Sequence, residues 1–313
     1  MGFVRSVGGM VVAASLPLGG AWYATRGVEQ YLTREVNQTL ETSAAALATK
    51  AEGFWDMNVK ALQQNAASPD ITSMDPARQR PILQSLTRAY PHLFLAFTAG
   101  RDGVDIARSD EKAHMAFGDR RYFQAAMRGA PLAHEVLMGK TSGKPTLVLA
   151  TPILGADRLP IGALVTSAQL RTMSDAVGGL RAGATGAAWL VDDAGRVIAA
   201  TRRGVIFESS LAALGWHPGV EYAVDQLPDR PLQYEYEGVP VVARTARTPQ
   251  GWAVIVQQDY SEAFGPLLAA RRGLQILALG TLAVILLLAR VLTHRRAARP
   301  IPLTAEVVGR VTV

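Results

Sequence analysis

The 313-residue chain is 49% hydrophobic and 19% charged, with a mean hydropathy of +0.13. It is more apolar than an ordinary soluble protein and more polar than a multi-span transporter. The net charge of +6 does not indicate a nucleic-acid partner, because arginines beside apolar runs supply part of it and the rest is mixed with acidic residues. The absence of cysteine excludes disulfides, thiolate catalysis and cysteine metal sites.

Two uncharged apolar runs lie near the ends of the chain, at 7–24 and 273–289. Each has about the length that a helix needs to cross a bilayer. We predict two membrane-spanning helices, over 7–26 and 271–292, with the remainder of the chain folded between them. The alternative for the first run is a cleaved signal peptide, with Arg5 as its charged region.

The orientation follows from the basic residues beside each span, since Lys and Arg are retained on the cytoplasmic face during insertion. Arg5 precedes the first run, and four arginines follow the second: Arg290, Arg295, Arg296 and Arg299. We therefore predict that segments 1–6 and 293–313 are cytoplasmic and that 27–270 is a periplasmic domain in the bacterial inner membrane.

A long helix is predicted over 27–66, because apolar residues recur there at steps of three or four. Its length of roughly 60 Å exceeds one small domain, so we expect it to run along two stacked modules. A coiled coil between subunits is an alternative that is compatible with this prediction. A shorter helix is expected over 76–89.

The period then changes to that of strands and turns. Strands are predicted at 92–98, 104–107, 147–153, 161–167, 188–191, 196–199, 239–245 and 252–257. The same order of hairpins occurs twice, and Ile106-Ala107 aligns with Ile198-Ala199. We infer an internal duplication of two small antiparallel-sheet modules, 67–180 and 181–264, and an α+β fold class. Chance similarity between short hairpins is the alternative.

The segment 28–264 resembles the double-Cache sensor domains of bacterial chemoreceptors, sensor histidine kinases and cyclic-dinucleotide enzymes. The resemblance depends on the long first helix and on four stretches of sequence: GDRRYFQAA at 118–126, GKP to ATP at 143–152, TGAAWLVD at 185–192 and GWAVIVQQ at 251–258. It implies two PAS-like modules on one helix, a membrane-distal module over 67–180 and a membrane-proximal module over 181–264, with a small-molecule ligand in the distal module.

The segment 299–311 after the second span is similar to the first helix of a HAMP linker. A basic segment at the membrane surface is the alternative. We expect a truncated receptor, a fragment, or an input subunit that borrows a kinase, chemoreceptor or diguanylate cyclase type of output from a separate cytoplasmic protein. A homodimer is the expected unit, because a lone span cannot report a shift without a reference partner. A membrane-anchored periplasmic binding protein without signalling output is the other function that we consider.

The double-Cache resemblance implies that the segment from Arg120 to Phe123 lines the ligand pocket. A guanidinium presents a planar set of donors that suits a carboxylate, so Arg120 is the first candidate ligand-binding residue. Tyr122 and Phe123 follow it as aromatic candidates. Three polar residues on strands complete the predicted set: Arg108, Thr151 and Ser167.

Two positions depart from the amino-acid-binding members of the family. Met115 stands where those members have a tyrosine, and Ala168-Gln169 where they have the aspartate that pairs with the ligand's ammonium group. A buried ammonium without a carboxylate is costly. We therefore expect an organic acid rather than an amino acid.

The residues give little support to catalysis. Gly139-Lys140-Thr141 resembles the end of a phosphate-binding loop, but His134 stands where that motif needs its first glycine. The histidines have no metal-binding spacing and no nucleophile elbow occurs. We predict a receptor without enzymatic activity, metal or cofactor, and an anchored extracytoplasmic enzyme is the least favoured alternative.

Overall fold

The structure is a computed structural model. It describes residues 2–170, 182–193, 195–201 and 231–297, together with residues 173, 175, 177 and 179. Side chains are described between residues 19 and 291 of these ranges, except at 21, 145 and 289. The chain divides into two compact units, one formed by Met1–Arg34 with Phe264–Val313 and the other by Glu35–Ala263.

The described helices and strands alternate in chain order. The helices are α1 Gly2–Ala66, α2 Pro69–Thr72, α3 Pro76–Ala89, α4 Arg121–Met127, α5 Tyr260–Ala263 and α6 Gly265–Ala297. The strands are β1 Leu93–Gly100, β2 Asp105–Arg108, β3 Ala133–Met138, β4 Pro145–Leu154, β5 Pro160–Gln169, β6 Ala187–Val191, β7 Val197–Ala200, β8 Leu232–Tyr236, β9 Val239–Arg247 and β10 Ala253–Asp259.

The strands form two five-stranded antiparallel sheets with the same internal order, β2-β1-β5-β4-β3 and β7-β6-β10-β9-β8. The hydrogen bonds at their edges also repeat. The Ser109 hydroxyl oxygen accepts a hydrogen bond from the Ala96 N–H, and the Ser109 N–H donates to the Ala96 carbonyl. Thr201 makes the same pair of bonds with Ala188. The predicted α+β class and the repeated module are therefore confirmed.

Within the Glu35–Ala263 unit, one face of α1 serves both modules. Its buried residues recur at steps of three or four: Leu40, Ala44, Leu47, Ala51, Trp55, Asn58, Leu62 and Ala66. Near the end of the helix, Asn58 Oδ1 lies 2.8 Å from Nε2 of His92, at the start of the distal sheet. Nearly five turns before it, Glu41 accepts from Arg244 of β9 at 3.2 Å. The prediction of a helix that runs along two modules is confirmed.

Trp55 of α1 connects the two modules through aromatic contacts. Its ring meets His134 of β3 edge-on at 4.9 Å between centroids, and it meets Trp252, next to β10, in the same way at 5.1 Å. Trp252 is fully buried. Edge-to-face contacts of this kind add to the free energy of apolar burial, so the ring of Trp55 links the two sheets.

The other unit contains one helical stretch, Gly265–Leu288, that is long and apolar enough to cross a membrane, and this is the one such stretch among the described residues. Its large side chains are exposed, for example Ile276 at 71% and Leu279 at 67%. Arg271 forms an ion pair of 2.9 Å with Glu29.

The backbone of the first predicted span, 7–26, is helical as part of α1, but the structure describes only a few of its side chains. The two-pass topology therefore stays a prediction. The HAMP-like segment 299–311 lies outside the described residues.

Candidate functional site

A small cavity lies on one face of the distal sheet, beneath α4. Because side chains of a strand alternate between faces, Leu95 and Phe97 of β1 point to the same side as Val165 and Ser167 of β5. The cavity measures about 20 Å³. Its lining consists of Phe94, Leu95, Phe97, Phe117, Arg120, Tyr122, Leu137, Gly139, Lys140, Thr141, Val148 and Ser167.

Two glycines bring the segment before α4 against the end of β1. The Phe117 N–H donates to the Gly103 carbonyl at 2.7 Å, and Val104 forms an isolated bridge with Ala116. Gly103 has a φ of +79°, and a Cβ there would lie 2.4 Å from the Cα of Gly118. Only glycine tolerates both the dihedral angle and the approach, so this contact fixes the position from which Phe117 reaches the cavity.

Arg120 is the residue that precedes α4, and its backbone is extended, with φ −84° and ψ 135°. Its N–H donates to the Phe117 carbonyl at 2.9 Å, and its own carbonyl accepts from Gln124 at 3.0 Å. The side chain makes no capping bond to the helix. Instead, the half-buried Arg120 lines the cavity.

The two aromatic residues after it have different surroundings. Tyr122 is 4% exposed and lines the cavity. Burial raises the pKa of its hydroxyl far above the usual value, so the group is a neutral donor and acceptor at any physiological pH. Phe123 belongs to the apolar core, and its ring would lie 3.3 Å from a Cβ placed on Gly103. Phe123 therefore packs behind the cavity and is not among its lining residues.

Lys140, in the turn between β3 and β4, contributes a second cation to the wall. Its ammonium group lies 2.8 Å from Oδ1 of Asp119 and 3.1 Å from the carbonyl oxygen of Ala116. It also stands 5.8 Å from the centre of the Phe117 ring. The hydrogen bond from Lys140 lowers the pKa of Asp119, whose side chain is 64% exposed.

Arg108 is buried, and aspartates on either side of it occupy its guanidinium. Nη1 lies 2.9 Å from Asp105, while Nε and Nη2 lie 2.8 and 2.9 Å from the two oxygens of Asp110. Burial by itself would lower the pKa of Arg108, but the hydrogen bonds to both aspartates outweigh it and raise the pKa. Nη2 also reaches Thr141 Oγ1 at 3.4 Å. Arg108 therefore supports the wall of the cavity without lining it.

The two predicted hydroxyl residues lie on opposite faces of the sheet. Ser167 lines the cavity. Thr151 donates to the carbonyl of Pro131 at 2.9 Å and lines an open cleft of about 410 Å³ beside Gln63 and Ala66 of α1. The structure therefore does not bring Thr151 to the cavity that contains Arg120.

A wider cleft of about 440 Å³ lies between the two modules. The side chains along it include Arg121, Tyr122, Arg128, Glu135, Asp193 and Arg196. Arg121 faces this cleft and not the cavity, although it is adjacent to Arg120 in sequence. Among the residues that the structure describes, no group of three His, Asp or Glu side chains could hold a metal ion.

The cavity lining has a distinct electrostatic character. Arg120 and Lys140 are its cations, hydroxyls come from Tyr122, Thr141 and Ser167, and no described lining residue is acidic. The remaining walls are apolar and aromatic, and the rings of Phe97 and Phe117 stack at 4.4 Å between centroids. Such walls make the surroundings less polar than water and strengthen the interaction of the cations with an anion.

Comparisons with known proteins agree with this architecture. The family model of the Cache domain, in its dCache_1 form, matches residues 24–267. The chain therefore belongs to the Cache domain family. No curated protein sequence matches the chain.

Several solved structures share the fold. The ligand-binding domain of Mlp24 with asparagine has a TM-score of 0.60 at 15% identity, covering 75% of this chain and 98% of that one. The ligand-binding domain of the Pseudomonas aeruginosa chemoreceptor PctB with L-Arg gives 0.59 at 15%, covering 74% and 98%. The extracellular domain of mmHK1S-Z3, described as a histidine kinase, gives 0.59 at 15%, covering 74% and 97%. At these identities the likeness establishes the fold alone.

Sequence reasoning missed part of the cavity wall. Phe117, Lys140 and Thr141 line it, and none of them was a predicted site residue. The available signal was the glycine pair that encloses the turn, Gly139 and Gly143, where the Gly143 N–H donates to the Gly139 carbonyl at 2.8 Å. Of the three residues between these glycines, Lys140 and Thr141 reach the cavity and Ser142 does not.

Proposed function

We propose that the chain is the sensor part of a bacterial inner-membrane receptor, and that its distal module binds a small carboxylate that lacks an ammonium group. The cavity lining supports this proposal, because it combines Arg120 with a second cation and contains no acidic side chain among the described residues. A carboxylate would gain charge-assisted hydrogen bonds there. An ammonium group would be left unpaired between cations, which is costly.

The solved neighbours named above bind asparagine and L-Arg, so the proposed ligand differs from theirs. The positions at which the family resemblance places the ammonium-binding aspartate carry Ala168 and Gln169. Ala168 is 3% exposed and Gln169 is half-buried at the end of β5. Both side chains are uncharged, so neither can neutralise an ammonium group. The difference in ligand class follows from this absence of charge.

The proposed topology has segments 1–6 and 293–313 in the cytoplasm, spans at 7–26 and 271–292, and the sensor 27–270 in the periplasm. Signal transfer would use a homodimer, in which ligand binding in one module alters the helix that leads into α6 and passes the change to a cytoplasmic output. Alkaline phosphatase fusions after residues 150 and 313 test this topology. Activity at 150 and none at 313 agrees with it, whereas activity at 313 or inactivity at 150 contradicts it.

Ligand class is tested with acids that differ only in the ammonium group. The full chain in detergent is melted in a scanning calorimeter with 2-hydroxypropanoate or with alanine. Binding to the folded state raises the melting temperature by mass action. We expect the hydroxy acid to raise it, alanine to leave it unchanged, and Arg120→Ala to abolish the response.

Arg121→Ala is the matched control, because Arg121 is exposed and lines the other cleft. A response that survives in Arg120→Ala, or an equal response to alanine, would overturn the proposed ligand class.

A further inference from the structure

The turn between β3 and β4 places Lys140 at the cavity. Its backbone is closed by the Gly139 N–H, which donates to the Lys144 carbonyl at 3.0 Å, and by a positive φ of 62° at Gly143. Thr141 is tied to the buried Arg108 at 3.4 Å. Two connections therefore fix the turn, and they place the ammonium group of Lys140 above the ring of Phe117.

The partner of Lys140 is a weak one. Asp119 is 64% exposed, whereas the Lys140 side chain is 29% exposed. Ion pairs with an exposed member contribute little to stability because water screens the attraction and the side chains lose freedom. An anion inside the cavity would meet the same ammonium group in less polar surroundings, where the attraction is stronger.

The present cavity is too small for an organic acid. Its volume of about 20 Å³ has room for a single water molecule. Lys140 connects the turn to the segment that precedes α4, through Asp119 and the Ala116 carbonyl. Release of these bonds would let that segment, with Phe117 and Arg120, move away from the sheet and admit a ligand.

We infer that the ligand carries two anionic groups: one binds Arg120 and the second replaces Asp119 as the partner of Lys140. This inference rests on the proposed carboxylate site and adds the requirement of a short dianion. The two cations line one small cavity, so a molecule with a short chain between its anionic groups can reach both. Lys140 is then the residue that selects dianions over monoanions.

The test compares succinate with butyrate, which have equal chain length and differ in the second carboxylate. Affinities are measured by titration calorimetry on the full chain in detergent. We expect the native protein to bind succinate about tenfold more tightly, the effect of one charge-assisted hydrogen bond. Lys140→Met should reduce this preference to about twofold or less while butyrate affinity stays within about twofold.

Two further variants separate ligand binding from a structural role of the ion pair. Asp119→Asn removes the competing carboxylate, so succinate should bind about threefold more tightly. Lys144→Met removes an exposed charge from the same turn and should change neither affinity. If Asp119→Asn weakens succinate binding as much as Lys140→Met does, the Lys140–Asp119 ion pair has only a structural role and the inference is wrong.

Equal binding of both acids to the native protein would also overturn the inference, as would an equal loss of preference in Lys140→Met and Lys144→Met. Arg120→Ala distinguishes the two proposals. If it abolishes binding of both acids while Lys140→Met leaves their ratio unchanged, the carboxylate site stands and the dianion requirement fails. If Arg120→Ala has no effect, the carboxylate site itself is wrong. A third ligand, 3-phosphonopropanoate, shows whether the second group is a carboxylate or a phosphonate.

Discussion

Replacement of Arg108 by methionine should strongly destabilise the distal module. The Arg108 side chain is 1% exposed and that of Asp105 is fully buried. Without the guanidinium, Asp105 retains only the His114 ring at 2.7 Å and the Met115 N–H at 3.0 Å, and Asp110 loses both of its bonds to the guanidinium. Removal of one member of a buried ion pair costs about 3–5 kcal/mol, because the remaining charge is uncompensated.

That free energy can be expressed as a melting temperature. A domain of 150–250 residues loses about 2–4 °C for each kcal/mol, so Arg108→Met should melt about 10 °C below the native protein. The assay is thermal unfolding of the full chain in detergent, followed by near-ultraviolet circular dichroism. Arg121→Met, which removes an exposed arginine from the same module, should melt within about 2 °C of the native protein.

A neutral version of the same cluster provides the second comparison. When Asp105→Asn and Asp110→Asn are added to Arg108→Met, no uncompensated charge remains, and part of the lost stability should return. The reasoning is refuted if Arg108→Met alone melts as the native protein does, or if the triple variant melts lower than the single one.

Three further results are expected from the same unfolding assay. Gly103→Ala should lower the free energy of unfolding by about 2 kcal/mol, because the φ of +79° at Gly103 and the nearby Gly118 backbone exclude a Cβ. A melting temperature equal to that of the native protein would contradict this. Trp252→Ala should cost about 3–5 kcal/mol and Trp252→Phe clearly less, since the fully buried ring packs on Trp55; equal losses would show that packing volume is not the cause. Glu262 accepts hydrogen bonds from the Thr185 hydroxyl and from backbone N–H groups of the 184–185 turn, which lower its pKa from 4.5 to about 2. The Glu262 carboxylate therefore stabilises the fold above pH 4.5, and this contribution is lost as the pH falls through 2. Glu262→Gln should flatten the dependence of the unfolding free energy on pH in that window by about 1 kcal/mol, a value reduced for solvent screening. An unchanged pH dependence would refute the assignment.

The long elements of the fold could be predicted because their hydrophobic period extends over many residues. The buried face of α1 follows from its three-and-four spacing, and the almost continuously buried strands β1, β5 and β10 follow from apolar runs bounded by turns. Short or mixed elements were missed. Helix α4 has seven residues, too few for a reliable period, and β3 and β8 carry polar residues among their apolar ones.

The cavity was predictable only in part, for a physical reason. Arg120 and Tyr122 lie two residues apart at the start of α4, so one sequence motif identifies them together. The contact of Lys140 with Asp119 spans 21 residues and that of Thr141 with Arg108 spans 33. These pairs meet because the β3–β4 turn folds over the segment before α4, and no local pattern encodes that meeting.

The aromatic contacts of Trp55 provide the protein with an internal optical reporter. The ring of Trp55 lies between His134 of the distal module and Trp252 of the proximal module. His134 belongs to the strand that leads into the Lys140 turn. A ligand that displaces this strand by a fraction of an ångström would alter the surroundings of both indoles. Ligand arrival in one module should therefore register as a change in intrinsic fluorescence that Trp55→Phe removes, so that no attached dye is needed to follow the event in time.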